Sequence, residues 1–212
     1  MTQTTKHDLS TVQKESSHMG PKYELTDEVN ADGLYRIRAL RDIPLYRVKA
    51  GDLGGWLASG ANLSQTGECW VFCNAQVFGN SQVFGNAQVF GNSRVFGNSQ
   101  VFGDAQVFSD SRVFGNSQVS GDSQVFGDAR VSGNSLVSGS ALVFGDSLVF
   151  GDSRVFGDSR VFGSARVFGA PPSFEIAGRI TPNAQGAHMF RLKGGGHHLS
   201  VGCWEGTAEE LS

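Results

Sequence analysis

The sequence predicts an all-β solenoid, a stack of short strands laid down coil upon coil, on three observations. Val recurs at every sixth position from Val71 to Val167, seventeen times without exception. Two residues after each of these Val comes Gly, replaced only by Cys73 and Ser109. Four residues after each Val through Val161 comes Ala or Ser, from Ala75 to Ala165. A period of six does not keep side chains on one helix face. Val, Phe and the brief Gly-Asn punctuation instead favour strands broken by turns. Strands this short cannot stand alone, so each must pair with its equivalents in the coils above and below.

In chain order, residues 1–21 read as a disordered tail, with Met19 an alternative start. Residues 22–64 break the period, and "LYRIRAL" (34–40) alternates like a strand. They are expected to form a small N-terminal β cap, with Trp56 and Trp70 covering the end of the core. Residues 65–170 are the repeat body, seventeen hexads from Val71 preceded by the weaker "QTGECW". Residues 171–212 read as a C-terminal cap. Pro171 and Pro172 are expected to end strand pairing. The stretch around Gly194–Gly196 reads as a hairpin, and Thr207 with Glu210 as a capping box that starts a short helix.

Within the hexad, Val is stiff and β-branched, suited to a narrow core. The Ala/Ser slot falls where the chain turns a corner and a larger side chain would clash. Gly with Asn or Asp tolerates left-handed backbone at that corner, and stacked Asn can form ladders. This pattern resembles the hexapeptide repeat of the left-handed β-helix. The resemblance implies three hexads per triangular coil, hence a single-stranded left-handed parallel β-helix of about six coils.

Strand side chains alternate, so an inward Val places its Phe neighbour outside. The variation agrees: Val never changes, whereas the Phe slot becomes Ser at 120, 132 and 138. Taking every third hexad gives three columns. One runs Phe72, Phe90, Phe108, Phe126, Phe144 and Phe162 without a break, and it is the candidate interface. The second is broken at Ser132, the third at Ser120 and Ser138. Beside the second column stand Arg94, Arg112, Arg130 and Arg166, candidates for holding an anion. Residues 65–170 carry six Arg, no Lys, seven Asp and one Glu, a net of −2. That balance argues against nucleic acid and for Arg residues paired with the turn Asp residues. The Asp110, Asp128 and Asp146 column lacks the nonapeptide calcium signature, so no metal is expected.

The flanking stretches "YELTDE", "YRIRALRD", "VKAGDLGGWL" and "GCWEGT" carry a more specific signal. They resemble phage- and prophage-associated hexapeptide-repeat proteins, which are similar to YdcK-type acyltransferases. The resemblance implies coenzyme A as cofactor and a His base between the coils of adjacent subunits. This chain has His only at 7, 18, 188, 197 and 198, none of them in the coils. No catalytic residue and no cofactor is therefore expected from the residues themselves, and the zinc-binding use of the fold lacks its three His ligands.

The net charge of −3 leaves no footprint for anionic surfaces, and no apolar run is long enough to span a membrane. The polar start and odd cysteine count (Cys69, Cys73, Cys203) point to reduced thiols and a cytoplasmic setting, the host cytosol if phage-encoded. Cys69 and Cys73 read as small residues filling repeat slots. The expected function is a non-enzymatic solenoid scaffold or binding module that self-associates, or binds a protein partner, through its Phe columns. The alternatives are a coenzyme-A-dependent acyltransferase, implied by the resemblance, and an anion or nucleic-acid binder using the Arg column.

Overall fold

The structure, a computed structural model, describes residues 20–176, 187–191, 197–201 and 204–207. It is an all-β parallel solenoid of about six turns, with no α-helix among the described residues. Two-residue strands pair with partners eighteen positions away. Gln106–Val107, for example, lies between Gln88–Val89 and Gln124–Val125, in register. Three series of such pairs make three faces. The first runs from Trp70–Val71 to Arg160–Val161. The second runs from Gln76–Val77 to Arg166. The third runs from Gln82–Val83 to Val155. Each coil is therefore three hexads, as the resemblance implied.

The Val column is the core: every Val from 71 to 161 is fully buried. Each contributes roughly 1.5–2 kcal/mol, an upper figure because the unfolded chain already hides part of its surface. The corner Gly residues have positive φ, for example 77° at Gly97. Added Cβ atoms there would lie 2.9 Å from the Gly115 nitrogen and oxygen in the next coil. The two departures keep the same backbone, with φ of 54° at Cys73 and 62° at Ser109. The sequence rule thus marks a backbone requirement that these two residues meet at a cost of about 1 kcal/mol or more each.

The corner Ser residues are as buried as Ala, because their hydroxyls are used. Ser111 Oγ donates to Phe108 O at 2.8 Å in its own turn and lies 3.2 Å from Val125 O in the next coil. Ser147 Oγ is buried with no partner. Ser111→Ala is therefore expected to cost about 1 kcal/mol, and Ser147→Ala to be neutral or stabilising, as read from urea unfolding midpoints.

Three amides per hexad, those of the Gln/Arg, Phe and Asn/Asp slots, donate to carbonyls of the following coil. Gln88, Phe90 and Asn92 do so to Ala105, Val107 and Ser109 at 2.8–2.9 Å. The first coil thus presents a carbonyl-rich edge to whatever covers it, and burying those acceptors unpaired would be costly. The segment ahead of the coils supplies the donors. Strands β1 (Tyr23–Val29), β2 (Tyr35–Ala39) and β3 (Leu53–Leu57) form an antiparallel meander. β3 then turns parallel to Gln76–Val77, so the stack reaches back into the segment read as the cap. Trp56 N and Ala58 N donate to Ala75 O and Val77 O at 2.9 and 3.1 Å. Asn62 Nδ2 reaches both Gly79 O and Ser81 O, and the Tyr46 hydroxyl donates to Asn86 O. The "GG" of the cap has a steric reason. A Cβ on Gly54 would sit 2.6 Å from Val71 O, and one on Gly55 2.6 Å from Ala75 O.

The two tryptophans expected over the core end both take the outward slot, opposite Gln76 and Gln88; Trp70 is buried there, 1% exposed and edge-on to Tyr23 at 6.2 Å. Trp56 is not. Leu57 takes the inward position, and alternation sends Trp56 out, where the Arg36 guanidinium lies 4.8 Å from its ring centre.

At the other end, Leu148–Val155 pairs in parallel with Arg166–Ile176. This corrects the expectation for Pro171 and Pro172. The ladder skips from Gly151↔Gly169 to Ser153↔Phe174, and pairing resumes beyond the prolines. A residue without N–H is accommodated in the irregularity, where the ladder asks nothing of it. Ala187–Arg191, His197–Val201 and Trp204–Thr207 form a separate antiparallel sheet. The tail expected through residue 19, residues 192–196 of the expected hairpin, Cys203 and the helix start expected at 208–212 lie outside the described residues.

Candidate functional site

The solenoid presents its chemistry as columns, and the first face carries the longest. Phe90, Phe108, Phe126, Phe144 and Phe162 stack with ring centres 4.7–5.1 Å apart and planes within 5°. Phe72 heads the column edge-on to Phe90 at 6.5 Å and is capped in turn by Tyr46 at 6.0 Å. Each stacked ring covers its neighbour's face, so the column is half-buried and shows mainly ring edges. The second face holds Phe78, Phe96 and Phe114 in the same stack before the Ser132 break. Phe150, just past that break, is the most exposed Phe among the described residues, at 37%. The third face stacks Phe84 on Phe102 at 4.8 Å. Stacking contributes about 0.5–1.5 kcal/mol per pair.

At the corners, Asn side chains hydrogen-bond down the columns. Asn80, Asn98, Asn116, Asn134 and Asp152 form one chain, each amide donating to the next Oδ1 at 2.8–3.2 Å. Asn74 and Asn92 lead to Asp110, and Asn86 to Asp104, in the same way. Each chain stops at its first Asp, because a carboxylate accepts but has no donor to pass on. The sequence shows this order too: Asn early in each column, Asp later.

Arg94, Arg112 and Arg130 lie in register on the second face, exposed, with Leu148 and then Arg166 completing the column. For Arg94, Arg112 and Arg130 the expected pairing with turn Asp residues is not made: none has a carboxylate within 4 Å, whereas Arg38–Glu24 and Lys49–Asp42 pair in the cap. The side chains of Asp104, Asp110 and Asp152 are instead acceptors at the ends of their Asn ladders. Among the described residues no group of three or more His, Cys, Asp or Glu is arranged to hold a metal ion, and no helix is long and apolar enough to cross a membrane. His188, His197 and His198 lie on the separate C-terminal sheet, opposite Ser200, Arg191 and Phe190 respectively.

One cluster went unread in the sequence. Lys22 is fully buried, and its Nζ donates to Cys69 O at 2.9 Å, lies 3.1 Å from Cys69 Sγ, and lies 3.5 Å from Thr66 O and Gly67 O. Burial holds the Lys22 pKa below the ordinary lysine value, with Cys69 pulling the other way. Burial likewise pushes the Cys69 thiol up. Cys69 fills a corner slot, as expected, while Cys73 takes the exposed Gly position. Next to Lys22, Tyr23 Oη donates to Leu63 O at 2.7 Å and Gly60 O at 3.0 Å. Nothing in "GPKYE" signals this, since a Lys beside a Tyr has no pattern that marks it as buried.

Burial raises the Tyr23 pKa from 10.0 to about 12. The unfolded tyrosine ionises first, so this contribution is intact below pH 10 and is lost as pH climbs to about 12. Cys69 acts in the same direction and Lys22 in the opposite one. Tyr23→Phe is expected to lower stability at pH 8 and to flatten its fall between pH 10 and 12, measured by denaturant unfolding across that range.

The same repeat can be set beside known proteins. No curated protein matches the chain. A family model described as the YdcK beta solenoid repeat matches residues 123–139, "SQVFGDARVSGNSLVSG", which covers nearly three hexads or one turn of the solenoid. In sequence, the repeat is similar to the YdcK β-solenoid repeat.

Proposed function

We propose that this protein is a non-catalytic, rigid β-solenoid scaffold, of the phage or prophage type its flanking motifs resemble, that associates side by side with a second copy through the first Phe column. The observation that carries this is the unbroken line of six Phe from Phe72 to Phe162, with ring edges facing out along one face. Side-by-side packing is favoured because the carbonyl-rich edge that end-to-end stacking would use is covered by the N-terminal strands. The coils from Val71 to Val167 contain no His, Lys or Tyr, which supports a structural use over acyl transfer.

The test is oligomeric state by sedimentation velocity across concentration. The wild-type chain is expected to associate, and Phe108→Ser/Phe126→Ser/Phe144→Ser to sediment as a monomer while keeping its β circular dichroism. A wild type that stays monomeric at high concentration, or a triple variant that associates like wild type, would overturn the reading. Calorimetry with acetyl-coenzyme A addresses the acyltransferase alternative: saturable binding would favour it.

A further inference from the structure

The Lys22–Cys69 contact takes no part in the Phe columns and has a chemistry of its own. An amine and a thiol, both fully buried, lie 3.1 Å apart, held there from several sides. Lys22 Nζ is anchored by Cys69 O, its backbone nitrogen donates to Gln65 Oε1 at 2.7 Å, and Cys69 N donates to Gly85 O at 2.9 Å. A single oxygen atom spans the gap after a small approach, whereas a direct S–N bond needs a far larger one.

We propose that Lys22 and Cys69 are a modification site, forming a covalent Sγ–O–Nζ cross-link when the protein meets dioxygen or a peroxide. With dioxygen, one thiol, one neutral amine and one dioxygen molecule give one S–O–NH bridge and one water. The S–O and O–N bonds form, while the S–H bond, one N–H bond and the O–O bond break. Sulfur and nitrogen are each oxidised by two electrons, dioxygen is reduced by four, and the second oxygen leaves as water with both released hydrogens. With a peroxide the thiol first becomes a sulfenic acid, and a second equivalent completes the bridge. Two features favour this pair over the usual climb to sulfinic acid. The amine sits against sulfur, and desolvation favours its neutral form, the form that the second oxidising equivalent can convert to a hydroxylamine, whose oxygen condenses with the sulfenic sulfur as water leaves. Dioxygen and hydrogen peroxide are small enough to reach a buried pair next to the chain surface at low cost. The bridge would tie residue 22 to residue 69 and so fasten β1 to the first coil.

The experiment uses the full chain, oxidised in air or hydrogen peroxide or kept in dithiothreitol, then digested and analysed by mass spectrometry. The expected product joins the Lys22 and Cys69 peptides, heavier than their sum by one oxygen less two hydrogens. It should disappear on reduction and be absent from Lys22→Arg. The thermal midpoint of the wild type should rise on oxidation and return on reduction. The wild-type spectrum decides by itself, whether or not the variant folds. Unlinked peptides after oxidation, with Cys69 either intact or as sulfinic or sulfonic acid, would overturn the proposal, and so would a disulfide at Cys69.

Discussion

Val125→Ser is expected to cost more than about 3 kcal/mol, and the adjacent Phe126→Ser only about 1–2 kcal/mol. Val125 is fully buried between Val107 and Val143 on one face of the core. Exchanging it for Ser forfeits the apolar burial and encloses a hydroxyl, and the two losses add. The hydroxyl would have no corner carbonyl to use, unlike Ser111. Phe126 is half-buried and stacked between Phe108 and Phe144 at 4.8 and 4.9 Å. Its replacement breaks two ring contacts and leaves the core intact, as Ser132 already does in the next hexad, on the neighbouring face. Urea unfolding midpoints of the two variants give the comparison. Equal losses would mean that the Phe column is as much a core as the Val column.

The order of those two effects was legible in the sequence, because repetition let the chain report its own tolerances. Seventeen Val without a change, and three Ser among the Phe positions, separated inside from outside before any backbone was known. The Gly slot was legible for the same reason, and its two exceptions, Cys73 and Ser109, carry the positive φ of the residue they replace. What stayed hidden lies where nothing repeats. Trp56 is expected at the core end, but its side is set by a one-residue alternation that β3 pairing reveals. The Arg column was visible, whereas the absence of a carboxylate beside Arg94, Arg112 and Arg130 was not, since Asp104, Asp110 and Asp152 end Asn ladders of their own. Pro171 and Pro172 read as the end of pairing, yet pairing resumes at Phe174. The cap donors, Lys22, Tyr23, Tyr46 and Asn62, answer to carbonyls tens of residues away or in the next coil, a relation that no local spacing encodes.

Those donors set the second large effect. Lys22→Met is expected to cost about 2–4 kcal/mol, and to do so locally. Met fills much the same volume but donates nothing, so Cys69 O loses its 2.9 Å partner and the more distant Thr66 O and Gly67 O lose theirs. Relief of the buried amine's own desolvation offsets part of this, which keeps the figure below that of three lost bonds. In a solenoid each coil is stabilised by its neighbours, so a defect at the end frays inward rather than unfolding the whole. Hydrogen exchange should therefore quicken at Trp56, Ala58 and Cys69, whose amides hold the first coil. It should be unchanged at Phe126 and Phe144, deep in the body, whose amides donate to Val143 O and Val161 O. A shift spread evenly over all coils would mean that the cap and body unfold as one unit. No change at Trp56 would mean that the Lys22 amine satisfies carbonyls which water satisfies equally well.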